Sequence, residues 1–173
     1  MSEIRTGLGW DAHRLAAGRP LILGGVTVPF ELGLEGHSDS DVLAHAITDA
    51  VLGAAALGDI GMHFPDADPR WKGCDSLVFL RRATELAKQR GFRIMNVDST
   101  VILERPKLSA FRDAIRGKLA EALGLELDRV SVKFKTAENL GPVGEGRSAE
   151  AQAVVTLQKL GTGPWHESAG QDG

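Results

Sequence analysis

Alternating apolar and polar positions near both ends of the chain predict β-strands. In residues 4–13, IRTGLGWDAH, one side of the predicted strand is apolar and carries Ile4, Leu8 and Trp10. The opposite side is polar and rich in glycine, and it carries Arg5, Gly7, Gly9, Asp11 and His13. In residues 149–159 the alternation predicts an inward side made of Ala149, Ala151, Ala153, Val155 and Leu157. We therefore expect the first and last segments of the chain to belong to a sheet.

Helical patterns dominate the middle of the chain. Residues 41–57, DVLAHAITDAVLGAAAL, are rich in alanine and leucine and lack proline, which predicts a helix that is apolar on most sides and therefore buried. Its N-cap is predicted at Ser38, Asp39 or Ser40. Two further helices are predicted over residues 75–90 and 107–123, with Gly91 and Gly124 as their ends. Extended segments are predicted over residues 21–30, 92–104 and 130–136, and a loop over residues 60–73.

This order of elements favours an α+β fold. Strand, strand, helix, helix, strand, helix, strand, strand predicts a mixed sheet of four to five strands with helices layered on one face. We expect a single domain over residues 1–160. Residues 161–173, GTGPWHESAGQDG, have no periodicity, so we expect a disordered C-terminal tail there.

Composition narrows the functional classes. The 173 residues carry a formal net charge of -3, which argues against a nucleic-acid partner held by a basic surface. No apolar run approaches the roughly 20 residues that a membrane span needs, and the first residues lack a signal-peptide pattern, so we expect a cytoplasmic protein without membrane association. Cys74 is the only cysteine, which excludes an internal disulfide and a thiolate-rich zinc site within one chain.

Three side chains form a candidate metal site. Asp11 and His13 are two residues apart on a predicted strand and therefore point to the same face. His45 lies in the predicted buried helix, where an imidazole is costly unless it is hydrogen-bonded or bound to a metal. Zinc accepts such ligands at about 2.0–2.2 Å, and three protein ligands leave one catalytic position open. The pattern alone also permits Asp11 to cap a turn and His45 to be a hydrogen-bonded core histidine.

Other polar residues favour the metal site and suggest a phosphate ligand. Ionisable and hydroxyl groups cluster in and around the apolar helix: His37, Ser38, Asp39, Asp41, Asp49 and Asp59. Four more polar residues lie on or just after a predicted strand end, at Lys133, Lys135, Thr136 and Glu138, where a solvated strand face is the simpler interpretation. Lys107 follows Pro106 at a predicted helix start, where a cation and backbone N–H groups can receive a phosphate.

Four segments together resemble one enzyme family. They are GWDAHRL at 9–15, LGG at 23–25, GHSDSDVLAHAITDAVLGAAALGDIGMHFPD at 36–66 and KTAENLG at 135–141. The chain resembles the 2-C-methyl-D-erythritol 2,4-cyclodiphosphate synthases of the non-mevalonate isoprenoid pathway, over residues 4–160. The resemblance implies conversion of 4-diphosphocytidyl-2-C-methyl-D-erythritol 2-phosphate to a cyclic diphosphate with release of CMP. It also implies a homotrimer with active sites between neighbouring subunits.

The resemblance assigns roles residue by residue. It implies zinc at Asp11, His13 and His45, and a second divalent ion, magnesium or manganese, at Glu138. It implies catalytic roles for His37, Asp59 and Thr136. It implies substrate contacts at Ser38, Phe64, Asp66, Lys107 and Lys135, with Lys107, Lys135 and Thr136 on the cytidine diphosphate side. The nucleophile is the 2-phosphate of the substrate itself, so no nucleophilic side chain is required, and residues 60–73 are a candidate flap.

The sequence departs from the family pattern in one glycine-rich segment. Many members have GRGEG where residues 144–148 read GEGRS, so Glu145 and Arg147 carry the two charges in the opposite order. In some members this region lines an apolar cavity on the trimer axis that holds an isoprenoid diphosphate. We therefore assign no ligand role to Arg147.

Three alternative functions remain open at the level of sequence. A metal-dependent phosphohydrolase would use the same ligands with water as the attacking group, positioned by Asp49 or Asp59. A non-catalytic module with a structural metal would need a fourth ligand, for which His37 is the candidate. A plain helix-and-sheet domain would bind no metal.

Overall fold

The computed structural model describes residues 3–160 of the chain, and the predicted tail over residues 161–173 lies outside them. The strands within this range are β1 (Ile4–Ala17), β2 (Leu21–Leu23), β3 (Val26–Val28), β4 (Leu32–Leu34), β5 (Phe92–Ile102), β6 (Val130–Lys135) and β7 (Ser148–Lys159). The helices are α1 (Val42–Ala54), α2 (Ile60–His63), α3 (Ser76–Gln89), α4 (Arg112–Leu123) and α5 (Gly141–Gly144). Within the same range no helix is both long and apolar enough to cross a membrane.

Five strands form one mixed sheet, in the order β4-β1-β7-β5-β6. Strands β5 and β6 run parallel, whereas β1 pairs antiparallel with both β4 and β7, and β5 pairs antiparallel with β7. The two short strands β2 and β3 form a separate hairpin. The expected α+β domain with a mixed sheet of up to five strands is therefore confirmed.

Helices cover one face of this sheet, as the sequence predicts. The five residues of β7 that were expected to point inward, from Ala149 to Leu157, are all buried. Helix α1 packs against β1 and β7, and α3 and α4 extend the layer over β5 and β6. On the opposite face, Leu8 is 71% exposed and Trp10 54% exposed. The apolar side of β1 thus faces away from the domain core.

Two glycines explain why the polar side of β1 faces the core. A Cβ added to Gly7 would lie 2.0 Å from the backbone oxygen of Ala50, and one added to Gly9 would lie 1.9 Å from that of Ala46. The backbone of α1 therefore rests directly on the strand, in space that any side chain would fill. This close approach brings the side chains that follow on the same face of β1 next to α1.

The N-cap of α1 is Asp41, so its predicted position at residues 38–40 is wrong. The Asp41 carboxylate accepts hydrogen bonds from the backbone N–H of Ala44 at 3.0 Å and of Gly25 at 2.7 Å, which ties the β2–β3 turn to the helix. The Asp39 carboxylate instead accepts hydrogen bonds from Asp41 and Ser76, and Ser40 has a positive φ of 62°. Tertiary contacts, which the local sequence does not reveal, decide between neighbouring capping residues.

Several short elements were not predicted from the sequence pattern. Strand β4 has three residues and α2 and α5 have four each, which is too short for a period of two or 3.6 residues to emerge. The predicted loop over 60–73 accordingly contains α2 and a 3₁₀ turn at Pro69–Trp71. The third long helix starts at Arg112, after a 3₁₀ turn at Ser109–Phe111, and ends at Gly124 in the left-handed conformation, as expected.

Candidate metal centre and active-site cavity

Asp11, His13 and His45 converge on one point between β1 and α1. The distance from Asp11 Oδ2 to His13 Nε2 is 3.0 Å, that from Asp11 Oδ2 to His45 Nδ1 is 3.0 Å, and that between the two nitrogens is 3.1 Å. All three residues are partly buried. In the described part of the chain this is the only group of three or more His, Cys, Asp or Glu side chains with ligand-like spacing.

The donor atoms fit a divalent cation. His13 Nδ1 lies 2.8 Å from the backbone oxygen of Glu35, and a carbonyl can only accept, so this nitrogen carries the proton and Nε2 offers its lone pair to the centre. Ligand atoms around a tetrahedral zinc lie about 3.3 Å apart when each is about 2.0 Å from the ion, close to the separations found here. His37 is not part of the group, which leaves a position open and disfavours the closed structural site considered above.

The same contacts shift the ionisation of the ligands. Burial works to raise the pKa of Asp11, but the neighbouring rings of His13 and His45, when they are protonated, outweigh it and hold that pKa well below the usual range of a carboxyl. Burial works to lower the pKa of His13, but the hydrogen bond and charge of Asp11 outweigh it, so that the pKa is raised. Without a metal, a proton on His13 therefore satisfies Asp11, and an incoming cation must displace that proton.

The three residues form part of the wall of a cavity of about 400 Å³. Four residues with predicted catalytic or substrate-binding roles also line it: His37, Ser38, Phe64 and Asp66. Asp59 is not among the lining residues, because it is exposed and its carboxylate accepts a hydrogen bond from Met62 N at 2.9 Å as the N-cap of α2. The structure therefore brings most of the predicted substrate-binding group together around the candidate metal centre.

Three aromatic side chains form another part of the cavity wall. Phe64 stacks on Phe79 with ring centroids 4.5 Å apart, and the Trp71 ring meets both edge-on at 5.3 and 5.6 Å. Phe64 and Trp71 come from the 60–73 segment, the candidate flap, and Phe79 from α3. The sequence pattern did not predict Trp71 and Phe79 as site residues, because the helical stripe of α3 identifies inward positions but not the neighbour that each position meets.

Asp49 lies on the α1 side of the cavity. Its carboxylate accepts a hydrogen bond from Ile60 N at 2.7 Å, so that it holds the start of α2. Burial raises the pKa of Asp49, and the negative charges of Asp59 and Asp11 add to this effect. The sequence placed Asp49 among the polar groups around the apolar helix and offered it as the base of a possible hydrolase.

A second pocket, of about 190 Å³, lies between the end of β6 and the segment that connects β5 to the start of α4. It contains the three residues predicted for the nucleotide side, Lys107, Lys135 and Thr136. Its lining and that of the first cavity have no described residue in common. Glu138 follows it along the chain with a positive φ of 52°, and the Thr136 hydroxyl donates to Glu138 Oε1 at 2.5 Å. One chain therefore holds the two predicted halves of a site apart.

These features define an α+β protein with a three-ligand candidate metal centre in a cavity and a separate lysine-containing pocket. The sequence profile of the YgbB family matches residues 4–158. The 2-C-methyl-D-erythritol 2,4-cyclodiphosphate synthase of Solibacter usitatus (strain Ellin6076) is 79% identical over 159 residues, covering 92% of this chain and 100% of the relative. The chain belongs to the YgbB family, and the resemblance inferred from its motifs is confirmed.

Solved structures agree with this assignment. The bifunctional IspDF of Campylobacter jejuni is 41% identical with a TM-score of 0.89, and the match covers 92% of this chain and 43% of that one. A 2C-methyl-D-erythritol-2,4-cyclodiphosphate synthase solved in a CDP-bound form is 45% identical with a TM-score of 0.82, covering 88% of this chain and 99% of that one. The fold of the described residues is therefore that of these enzymes.

Proposed function

We propose that this protein converts 4-diphosphocytidyl-2-C-methyl-D-erythritol 2-phosphate to 2-C-methyl-D-erythritol 2,4-cyclodiphosphate and CMP. Relatives named for this synthase activity match almost the whole chain, and one solved relative binds CDP. The observation that carries the proposal is the convergence of Asp11, His13 and His45 in a cavity large enough for a sugar phosphate. The cytoplasm stays the expected location.

The reaction places few chemical demands on side chains. An oxygen of the substrate's 2-phosphate attacks the β-phosphorus, and the bond from that phosphorus to the bridging oxygen of CMP breaks. Since nucleophile and leaving group both belong to the substrate, the protein contributes positioning and charge neutralisation. This agrees with a cavity whose wall contains three histidines, a serine and carboxylates around a cation centre, beside an aromatic surface.

We assign zinc to Asp11, His13 and His45, and a second divalent ion, magnesium or manganese, to Glu138. Bound there, the metals would supply Lewis-acid stabilisation of phosphate oxygens. Support for zinc comes from the mixed nitrogen and oxygen donor set and its spacing. Support for Glu138 comes from its exposed carboxylate, which lies in a turn with positive φ next to Thr136 of the second pocket.

The remaining side chains divide between the two ends of the substrate. His37, Ser38, Phe64 and Asp66 line the first cavity and would hold the methylerythritol phosphate end, with His37 in the catalytic group. Lys107, Lys135 and Thr136 line the second pocket and would hold the cytidine diphosphate end. Asp59 caps α2 in the described fold, so a catalytic role would require α2 to move toward the substrate.

We further propose a homotrimer with each active site completed by a neighbouring chain. One chain holds the two pockets apart, so a single substrate would reach both only across subunits. The outer face of the sheet also exposes apolar side chains on two paired strands: Ile4, Leu8, Trp10 and Val154. An exposed apolar patch on a folded domain is typical of a protein interface.

Phosphorus NMR of the reaction products tests the function. Purified protein with zinc and magnesium should yield a cyclic diphosphate and CMP from the proposed substrate. Linear products that contain oxygen from labelled water would instead indicate hydrolysis, with Asp49 as the first candidate base because its pKa is raised beside the cavity. Sedimentation equilibrium tests the trimer, and a monomer with full activity would contradict the shared site.

A further inference from the structure

We propose that Ser76, held in place by Asp39, is a positioning residue that fixes the tautomer of His45 for metal binding. The inference rests on the proposed metal site and concerns residues outside its ligand set. Ser76 is the first residue of α3 and is fully buried. The distance from its Oγ to His45 Nε2 is 2.8 Å. This is the ring nitrogen that faces away from Asp11 and His13.

The contacts of Ser76 determine which group accepts the hydrogen bond from its hydroxyl. Ser76 Oγ donates to Asp39 Oδ1, because a carboxylate can only accept. The backbone N–H of Ser76 also donates to Asp39, at Oδ2 over 3.1 Å, and that of Asp41 donates to Oδ1 over 3.2 Å. Asp39 is therefore surrounded by donors, and Ser76 Oγ has only lone pairs left for His45.

His45 must consequently donate to Ser76. Its Nε2 carries the proton, which leaves the lone pair of Nδ1 directed at the point shared with Asp11 and His13. Ser38 does not reverse this assignment, since its hydroxyl lies 3.2 Å from Ser76 Oγ and can donate there. The relay from Asp39 through Ser76 thus selects the form of His45 that binds a metal, as outer partners of metal-bound histidines generally do.

Loss of the Ser76 hydroxyl would allow the opposite tautomer. In Ser76→Ala, the Ser38 hydroxyl, 3.1 Å from His45 Nε2, becomes free to donate to that nitrogen. The ring proton can then move to Nδ1 and form a hydrogen bond to Asp11 Oδ2 over 3.0 Å. In that form His45 Nδ1 is protonated and Asp11 Oδ2 accepts its hydrogen bond, so neither atom is free to bind a metal. Metal binding would then require the proton to move back to Nε2, which lowers the affinity.

The first measurement is the tautomer itself, in metal-free protein at a pH where histidine is neutral. Long-range proton–nitrogen correlation spectra should show His45 protonated at Nε2 in the wild type and in Ser76→Thr, which keeps the hydroxyl. Ser76→Ala should shift His45 toward the Nδ1–H form. Wild-type His45 protonated at Nδ1, or an unchanged spectrum in Ser76→Ala, would overturn the inference.

Zinc affinity is the second measurement, by competition with a coloured chelator. Ser76→Ala should bind zinc about 10–100-fold more weakly, the range typical of lost outer partners, whereas Ser76→Thr should stay close to wild type. Ser99→Ala is the matched control, because Ser99 is equally buried but its hydroxyl donates to Ser131 O in the sheet. Equal affinities in Ser76→Ala and Ser99→Ala would refute the role, as would Ser76→Thr behaving like Ser76→Ala.

The two proposals fail in different ways. If the wild type binds no zinc, the proposed metal site is wrong, while the spectra still decide the tautomer of His45. If the wild type binds zinc and the Ser76 variants do so equally, the metal site stands and the positioning role falls.

Discussion

Gly9→Ala is the sharpest test of how β1 and α1 build the metal centre. The added Cβ would lie 1.9 Å from Ala46 O and 2.7 Å from Ala50 N, both backbone atoms of α1 that cannot rotate away. Cβ atoms essentially never approach a neighbour within 3.0 Å, so strand and helix must separate by more than about 1 Å. Gly9 is two residues before Asp11 on the same face of β1, so this displacement acts directly on the ligand spacing.

The consequences follow from the distances in the centre. Ligand atoms now 3.0–3.1 Å apart would move by about a third of that separation, whereas metal–ligand bonds tolerate about 0.2 Å. We expect zinc affinity to fall by about tenfold or more, and the free energy of unfolding by about 1–3 kcal/mol, the usual cost of overpacking. Competition titration measures the first quantity and urea denaturation of the metal-free protein the second.

Gly53→Ala provides the matched control, because Gly53 lies in α1, the helix that Gly9 contacts. An added Cβ at Gly53 meets no atom within 4 Å, so the substitution should leave zinc affinity unchanged. It should also raise stability by about 0.5–1 kcal/mol, because alanine favours a helix over glycine. If Gly9→Ala matched Gly53→Ala in both measurements, the direct contact between β1 and α1 would be refuted.

Four further outcomes are expected. His45→Ala should lose zinc and nearly all turnover while it keeps its circular dichroism, and wild-type activity would reject the ligand assignment. Glu138→Gln should weaken the dependence of activity on magnesium with zinc still bound, and an identical magnesium titration would reject its role. Below the raised pKa of His13, zinc affinity should fall about tenfold for each unit by which the pH is lowered, per proton that zinc displaces, and above that pKa it should be constant. Zinc titrations at a series of pH values check this. Arg19 donates to Gly36 O and Ser38 O, both at 2.9 Å. Arg19→Gln should therefore destabilise the protein by about 1–3 kcal/mol and speed hydrogen exchange in residues 36–40. An unchanged exchange rate would show that these two hydrogen bonds do not hold the segment.

Local periodicity was sufficient where one face of an element meets the core. The inward alanines of β7 and the buried character of α1 were predicted correctly, because a period of two or 3.6 residues directly encodes which side chains face the interior. The shared face of Asp11 and His13 follows from the same rule. For β1, however, hydrophobicity alone points the wrong way, since the glycine-rich side is buried and Trp10 is exposed.

Contacts between distant segments were beyond the sequence pattern. Ser76 and Asp39 are 37 residues apart, and no spacing rule connects them. Trp71 and Phe79 meet Phe64 only because the 60–73 segment folds back over α3. The motifs supplied the list of side chains in the first cavity, whereas their hydrogen-bond directions required three-dimensional coordinates. The roles assigned to individual residues stay predictions until the variants are measured.

The ligands of the candidate centre are contributed by segments far apart in the chain. Asp11 and His45 are 34 residues apart, so an ion held by both would act as a cross-link that closes a loop containing the β2–β3 hairpin and β4. An unfolded chain lacks this arrangement, so the folded state would gain stability in proportion to the logarithm of free zinc. Metal supply in the cell would then influence how long the protein survives as well as how fast it works.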